Sequence, residues 1–226
     1  MTAAQLPFAF EPRPALDSGD FLAALCNAEA VAWLAPERRW PGPALVLHGP
    51  AGCGKSHLAR LWSRSAGGTL VMAAELSIAG VPALSEAAVA VDGAETVAGD
   101  AGRERALFHL HNLIAERGGR LLLVARDLVA GWGLALPDLA SRLRAAPSVA
   151  IGAPDDSVLA ALLVKLLADR QISPPAEVVA YLVPRMERSF ETARRLAEAL
   201  DHAALAAHRP LTLPLAREVL AGLSDP

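Results

Sequence analysis

The sequence contains little cysteine, few aromatic residues and almost no lysine, and these shortages exclude several classes of protein. Cys26 and Cys53 are the only cysteines among 226 residues, which excludes a disulfide-stapled secreted domain and fits a reducing compartment. Aromatic residues make up 4% of the chain, so the core must consist mostly of Ala, Leu and Val. No apolar run reaches the roughly 18 residues of a membrane span, and the first residues do not resemble a secretory signal. We therefore expect a cytoplasmic globular protein with no membrane partner.

An excess of charge of one sign is also absent. The net charge is −3 and the pI is about 6.1, which argues against a stand-alone, non-specific nucleic-acid binder. Lys55 and Lys165 are the only lysines among 21 basic side chains. A position that keeps lysine against this bias indicates a need for a compact ammonium group rather than a planar guanidinium.

Alternating apolar strands and helices predict an α/β fold with a parallel five-stranded sheet covered on both faces. A tail with prolines occupies residues 1–20, and a helix is expected over 21–35. The predicted strands are 43–50, which enters a glycine-rich turn, and 69–74, 87–92, 120–125 and 147–152. The predicted intervening helices are 55–65, 102–117 and 138–145.

The pattern becomes entirely helical after Pro154, with helices expected over 155–170, 174–184, 189–208 and 213–222. The segment 152–154 then acts as a hinge. We expect three parts: an extended tail (1–20), a nucleotide-binding α/β core (21–152) and a small all-α lid (153–226).

Residues 49–56 read GPAGCGKS, the spacing of a phosphate-binding loop between a buried strand and a helix. Glycines let backbone N–H groups face phosphate oxygens, and the following helix directs its positive end at the same anion. Lys55 is placed to reach the β- and γ-phosphates, and the Ser56 hydroxyl to bind Mg²⁺. The alternative is a structural glycine-rich turn.

Asp92 ends the apolar run of the third strand, where a nucleoside triphosphatase places the acid that serves Mg²⁺. A hydrophobic strand that merely ends in Asp is the alternative. The next residue, where a second acid usually orients the attacking water, is Gly93. Glu95 is the nearest following acid. The pattern therefore predicts weak hydrolysis or none.

Two groups of arginines are candidates for contacts with a nucleotide. Arg142 lies on the short helix after the fourth strand, where assembling ATPases carry an arginine finger, although a solvated helix face explains it as well. Arg188, Arg194 and Arg195 surround the start of a lid helix. They either turn toward a nucleotide or form a basic face paired with nearby acids.

Residues 5–10 read QLPFAF and place apolar side chains on the tail. They either pack on the protein's own core or form a short linear motif in which Gln5 donates hydrogen bonds while Leu6, Phe8 and Phe10 fill a pocket.

The order of these features resembles the AAA+ ATPases, and more narrowly the Hda family of DnaA-related proteins. The resemblance covers the whole chain and includes VDGAETVAGD (91–100), LPDLASRL (136–143) and LTLPLAREVL (211–220). The segment 27–30 corresponds to a stretch that lies beside the adenine in this family. QLPFAF stands where the family carries its sliding-clamp-binding peptide.

The resemblance implies a regulator that binds ADP or ATP with Mg²⁺, docks on the DNA-loaded sliding clamp (the β subunit of DNA polymerase III) and stimulates hydrolysis of DnaA-bound ATP. Replication initiation is thereby negatively regulated. The resemblance also implies that the protein is associated with the nucleoid or replisome and that it does not itself bind a specific DNA sequence. Arg142 becomes the finger offered to DnaA, and residues 5–10 bind the clamp. The implied Mg²⁺ residues are Ser56 and Asp92. The implied nucleotide-binding residues are Asn27, Gly49, Gly52, Cys53, Gly54, Lys55, Ser56, His57 and Arg188.

Departures from the family pattern keep other functions open. Residues 125–127 read Ala-Arg-Asp where a polar sensor pair is usual, which together with Gly93 indicates that nucleotide serves as a structural ligand. A self-sufficient AAA+ ATPase that loads or remodels a replication protein is the alternative, and a small-molecule kinase is a third. ADP versus ATP, and a monomer versus a homo-oligomer, stay open at this point.

Overall fold

The computed structural model describes residues 24–84, 87–207 and 209–224. The predicted clamp peptide, with Gln5, Leu6, Phe8 and Phe10, lies outside these described residues.

Five short segments of the described chain form one parallel sheet with the order β2-β3-β4-β1-β5. Leu45, Val46 and Leu47 of β1 are all fully buried because helices cover both faces of the sheet. The predicted α/β fold with a parallel five-stranded sheet is confirmed. The strands are Ala44–His48 (β1), Thr69–Met72 (β2), Ala88–Asp92 (β3), Arg120–Ala125 (β4) and Ser148–Ala150 (β5).

Two apolar clusters hold the helices to the two faces of this sheet. Ala28–Leu34 (α1) and Lys55–Ser65 (α2) contribute to one cluster, in which Leu58 and Trp62 pack with alternate residues of β1 and β4. Ala101–Glu116 (α3) and Pro137–Ala145 (α4) contribute to the cluster on the other face. Helices α2 and α4 therefore lie on opposite faces of the sheet.

In the described residues the first helix begins at Ala28, later than the start of the predicted 21–35, because residues 25–27 form a turn. The Asn27 Oδ1 accepts a hydrogen bond from the Ala24 N–H at 2.9 Å, which stabilises this turn. The Cys26 carbonyl accepts another from the Gly152 N–H at 2.8 Å. This second bond joins the entry to α1 to the segment that leaves the sheet after β5.

Four helices follow the sheet in the described residues: Asp156–Ala168 (α5), Ala176–Leu182 (α6), Phe190–Ala207 (α7) and Leu213–Ser224 (α8). They enclose an apolar cluster of their own, with Leu163, Leu182 and Leu200 fully buried. Asp155 starts α5 as its N-cap, because its Oδ1 accepts from the Val158 N–H at 2.8 Å. Within the described part of the chain, no helix is both long enough and apolar enough to cross a membrane.

Candidate nucleotide-binding site

The loop at residues 49–54 joins the end of β1 to the start of α2. Gly49, Gly52 and Gly54 all have positive φ angles, of 151°, 69° and 97°. Gly54 is the N-cap of α2 and supplies no side-chain acceptor to the N–H groups of the first turn, which have no acceptor within the helix. An eleven-residue helix that begins in this way directs these N–H groups and its positive end to one point, which fits a phosphate group.

Lys55 begins α2, and its ammonium group lies within this loop. Its Nζ donates hydrogen bonds to the Gly49 carbonyl at 2.6 Å and the Pro50 carbonyl at 2.7 Å, and lies 3.6 Å from the Cys53 Sγ. The residue is only 8% exposed. The lysine therefore holds the loop in its turned shape and keeps a positive charge at the place where phosphate oxygens would bind.

Sheet register places Asp92 close to the phosphate loop. Asp92 pairs with Val124 of β4, and Val124 pairs with Leu47 of β1, the second residue before Gly49. Two strand spacings of about 4.8 Å separate the Asp92 and Leu47 backbones. Ser56 is exposed in the first turn of α2. A hydroxyl and a carboxylate are oxygen donors of the kind that could hold a hydrated Mg²⁺. Among the described residues, no group of three or more His, Cys, Asp or Glu could hold a metal ion.

Gly93 occupies the position after Asp92 where a second acid is usual, and the nearest following acid, Glu95, binds the backbone of Arg126. Gly93 has a φ of 70°, a left-handed conformation that would strain an acidic side chain there. The Glu95 Oε1 instead accepts from the Arg126 N–H at 3.2 Å, and the Arg126 carbonyl accepts from the Gly49 N–H at 3.2 Å. The Arg126 backbone therefore connects Glu95 to the first residue of the phosphate loop.

The start of lid helix α7 lies directly on this loop. The Phe190 N–H donates to the Gly52 carbonyl at 2.9 Å. A Cβ on Gly52 would overlap the Ser189 Oγ, and a Cβ on Gly54 would lie 3.7 Å from the Phe190 ring. The loop and the lid are thus in direct backbone contact.

Sequence reasoning placed a lid arginine at this position and missed Ser189 and Phe190. The Arg188 Nε lies 3.0 Å from the Asp156 Oδ1 at the start of α5, in an exposed ion pair. Ser189 accepts from the Glu191 and Thr192 N–H groups at 3.2 and 3.3 Å, as a helix N-cap does. The cap could have been predicted, because a serine stands just before an amphipathic helix. The contact with Gly52 could not have been predicted from neighbouring residues.

The other predicted nucleotide-binding residues lie at different depths around the loop. Cys53 and Asn27 are both 2% exposed, and His57 is partly buried in the first turn of α2. At the end of β1, burial lowers the pKa of His48, while Asp127 raises it and Lys55 lowers it. The net effect leaves the pKa of His48 below its ordinary value.

Arg142 lies away from this loop, in the last turn of α4. Its guanidinium carbon is 5.2 Å from the centre of the Phe108 ring on α3. Burial, and then the charge of Arg142, lower the pKa of His111 on α3. The arginine is exposed and contacts α3 at Phe108, on the face of the sheet opposite α2.

Glu104 fixes the start of the helix that carries Arg142. Its two carboxylate oxygens accept from the Ala135, Leu136 and Gly99 N–H groups at 3.1, 2.7 and 3.2 Å. Burial by itself raises the pKa of this carboxyl, but the three backbone donors outweigh it and leave the pKa below its ordinary value. A single buried carboxylate thus joins the start of α3 to the start of α4.

A parallel sheet in this order, with a glycine-rich loop after β1 and a helical lid after β5, defines a P-loop module of the AAA+ class. The family profile described as "Hda, lid domain" matches residues 155–220. The helical C-terminal part of the chain is thus similar to the Hda lid domain, and the chain as a whole has a DnaA-like AAA+ fold.

Solved structures share this fold at low sequence identity. Domain III of the Thermotoga maritima replication initiation protein DnaA superposes with a TM-score of 0.78 at 15% identity, over 92% of this chain and 96% of that one. A replication initiator DnaA bound to AMPPCP and single-stranded DNA gives 0.70 at 16%, over 88% and 69%. AMPPCP-bound DnaA from Aquifex aeolicus gives 0.67 at 17%, over 80% and 63%.

Proposed function

We propose that this protein is a nucleotide-binding regulator of replication initiation, which docks on the DNA-loaded sliding clamp and stimulates hydrolysis of DnaA-bound ATP. The Hda-type lid and the DnaA-like core support the class of function. The position of Arg142 is the observation that carries the mechanism, since this exposed guanidinium belongs to a helix on the face of the sheet opposite α2.

The chain would bind ADP or ATP at its phosphate loop, residues 49–54, separately from the ATP that DnaA holds. The N–H groups at the start of α2 and the Lys55 ammonium would hold the phosphates, while Ser56 and Asp92 would bind Mg²⁺. Two DnaA structures contain the adenine nucleotide AMPPCP in a fold of this kind, which supports an adenine nucleotide here. The lid contact at Gly52 would then make lid position depend on the bound nucleotide.

In the partner's site, Arg142 would act as an arginine finger. A finger stabilises the charge that develops on the transferred phosphoryl group and is worth about 10³ to 10⁵ in rate. Phe108 would hold the guanidinium in place, and Glu104 would fix the start of the helix. The chain would need no catalytic acid after Asp92 for this role.

The experiment that tests this function follows labelled ATP bound to DnaA. The full chain is added with ADP and Mg²⁺, with and without clamp loaded on DNA, and conversion to ADP is measured. Arg142→Ala should abolish the stimulation, a loss of about 10³-fold. Arg144→Ala is the matched control, because Arg144 is exposed in the same last turn of α4.

Full stimulation by the Arg142→Ala variant would reject the finger. Stimulation that does not depend on the clamp would reject the docking step. Rapid steady-state hydrolysis by the isolated chain would favour the self-sufficient ATPase instead.

A further inference from the structure

A basic groove lies at the end of the sheet where β1 and β4 begin, and the phosphate loop lies at the other end, where β1 finishes. Its cavity measures about 430 Å³ and is lined by the segments that enter β1 and β4. We call it the Arg-Trp groove. Its main side chains are Arg38, Arg39, Trp40, Arg120, Pro36 and Pro43. The five residues of β1 span about 17 Å, so the groove and the loop are separate sites.

Two arginines of this groove lie over aromatic rings. The Arg38 guanidinium carbon lies 4.4 Å from the Trp33 ring centre, and that of Arg120 lies 5.7 Å from Trp40 and 5.4 Å from Trp62. A cation–π contact of this kind holds a guanidinium near the ring, and its five N–H groups can still donate to an anion.

No described carboxylate neutralises this charge. Within the described ranges, no ion pair or hydrogen bond involves the guanidinium groups of Arg38, Arg39 or Arg120. Glu37 and Glu116 adjoin the groove in sequence but do not line it. In a chain with a net charge of −3, three unpaired arginines in one cavity form a local anion site.

The groove also offers apolar surface beside the charge. Trp40 is half-buried, stacks on Trp62 at 5.5 Å and donates its indole N–H to the Trp33 carbonyl at 2.9 Å, so its ring is held rigidly. Pro36 and Pro43 extend this wall. Arginine donors next to a fixed aromatic and proline wall match the two parts of a nucleotide, its phosphate and its base.

We propose that the Arg-Trp groove binds single-stranded nucleic acid, with Arg38 and Arg39 on the phosphates and a base against Trp40. An acidic protein segment would use the arginines but not the aromatic wall, so the observations favour the nucleic acid. A duplex keeps its bases stacked and cannot place one against this wall. The site is independent of the proposed action on DnaA.

The test measures fluorescence anisotropy of a labelled oligothymidine of about 15 nucleotides with the full chain at about 50 mM salt. Saturating ADP and Mg²⁺ keep the phosphate loop filled. Arg38→Ala with Arg39→Ala should weaken binding about tenfold or more and reduce the slope of log affinity against log salt by about 1.4. The control pair Arg105→Ala with Arg209→Ala removes the same charge at exposed positions away from the groove and should change affinity less than about twofold.

Melting temperatures of the two double variants should match, which shows that both are folded. Absence of binding by the unmodified chain, or equal losses in the two double variants, would overturn the proposal. Equal displacement by free thymidine monophosphate would assign the groove to a mononucleotide. Binding of an oligoglutamate peptide without oligothymidine would assign it to an acidic protein.

Discussion

The Phe190 backbone N–H donates a hydrogen bond to the Gly52 carbonyl, 2.9 Å away, and thereby connects the first turn of α7 to the phosphate loop. The N–H and the carbonyl of one peptide group point in opposite directions. A loop peptide that directs its N–H toward a phosphate therefore directs its carbonyl away from it, and the Gly52 carbonyl accepts its hydrogen bond from the lid. A nucleotide bound as proposed and the lid would therefore both act on the same short stretch of backbone.

Gly52→Ala should loosen the lid and weaken nucleotide binding by about tenfold, with a loss of about 2 kcal/mol in stability. The added Cβ would be strained at a φ of 69° and would overlap the Ser189 Oγ. Gly67→Ala is the matched control, because Gly67 has a φ of 63° and no atom near its missing Cβ. Thermal melting and ADP titration of the two variants check this prediction. Equal effects in both would mean that backbone strain alone is responsible.

Glu104→Gln should lower the free energy of unfolding by about 2–3 kcal/mol at neutral pH, because an amide N–H₂ would face backbone donors that now bind a carboxylate. The pKa of Glu104 is below its ordinary 4.5, so its contribution is complete above that pH and is lost as the pH falls toward the folded-state value. The gap in melting temperature between wild type and variant should therefore narrow in acid. Glu116→Gln, an exposed change on the same helix, should show no gap at any pH.

Lys55→Ala should weaken ADP binding by about 100-fold or more, because it removes the charge at the phosphate position and two hydrogen bonds to the loop. Lys165→Ala is the control, since the other lysine of the chain forms an exposed pair with Asp169 on α5. Calorimetric titration of both variants checks the prediction. Comparable affinity in Lys55→Ala and wild type would contradict the site.

Asp92→Asn should leave binding of metal-free ADP unchanged and remove most of the gain in affinity that Mg²⁺ gives. The carboxylate lies at the end of β3, level with the residues that lead into the phosphate loop, and an amide is a weaker ligand for the hydrated ion. Titrations with Mg²⁺ and with a chelator measure this difference. If Mg²⁺ raised the ADP affinity of the variant as much as that of the wild type, Asp92 would not be a metal-binding residue.

Phe8→Ala with Phe10→Ala should weaken binding to the sliding clamp by about 30-fold or more, since apolar anchors in a pocket contribute most of the energy of such peptides. Nucleotide affinity should not change, because the substitutions leave residues 49–56 intact. Pro12→Ala with Pro14→Ala is the control pair within the same tail. Surface plasmon resonance on immobilised clamp checks it, and retained affinity would reject the tail as the clamp peptide.

Local patterns in the sequence were sufficient for most of the elements. The GPAGCGKS stretch predicted a turn between a buried strand and a helix, and apolar runs of four to six residues predicted the parallel sheet. These features depend on periodicity and on glycine chemistry within a few residues. Where prediction and structure differ, as at the start of α1, a local turn with the Asn27–Ala24 hydrogen bond is also joined to Gly152 by a long-range bond from the Cys26 carbonyl.

The sequence by itself determined that this chain has a phosphate loop after β1, an acid at the end of β3, an arginine on α4 and a helical C-terminal part, because each depends on neighbouring residues. Tertiary structure alone decided that Ser189 and Phe190 meet the loop while Arg188 pairs with Asp156. It also decided that Glu104 binds the distant Ala135 and Leu136 N–H groups and that Arg38 and Arg120 share one groove. These contacts join residues dozens of positions apart, and packing of whole elements sets them rather than any local propensity.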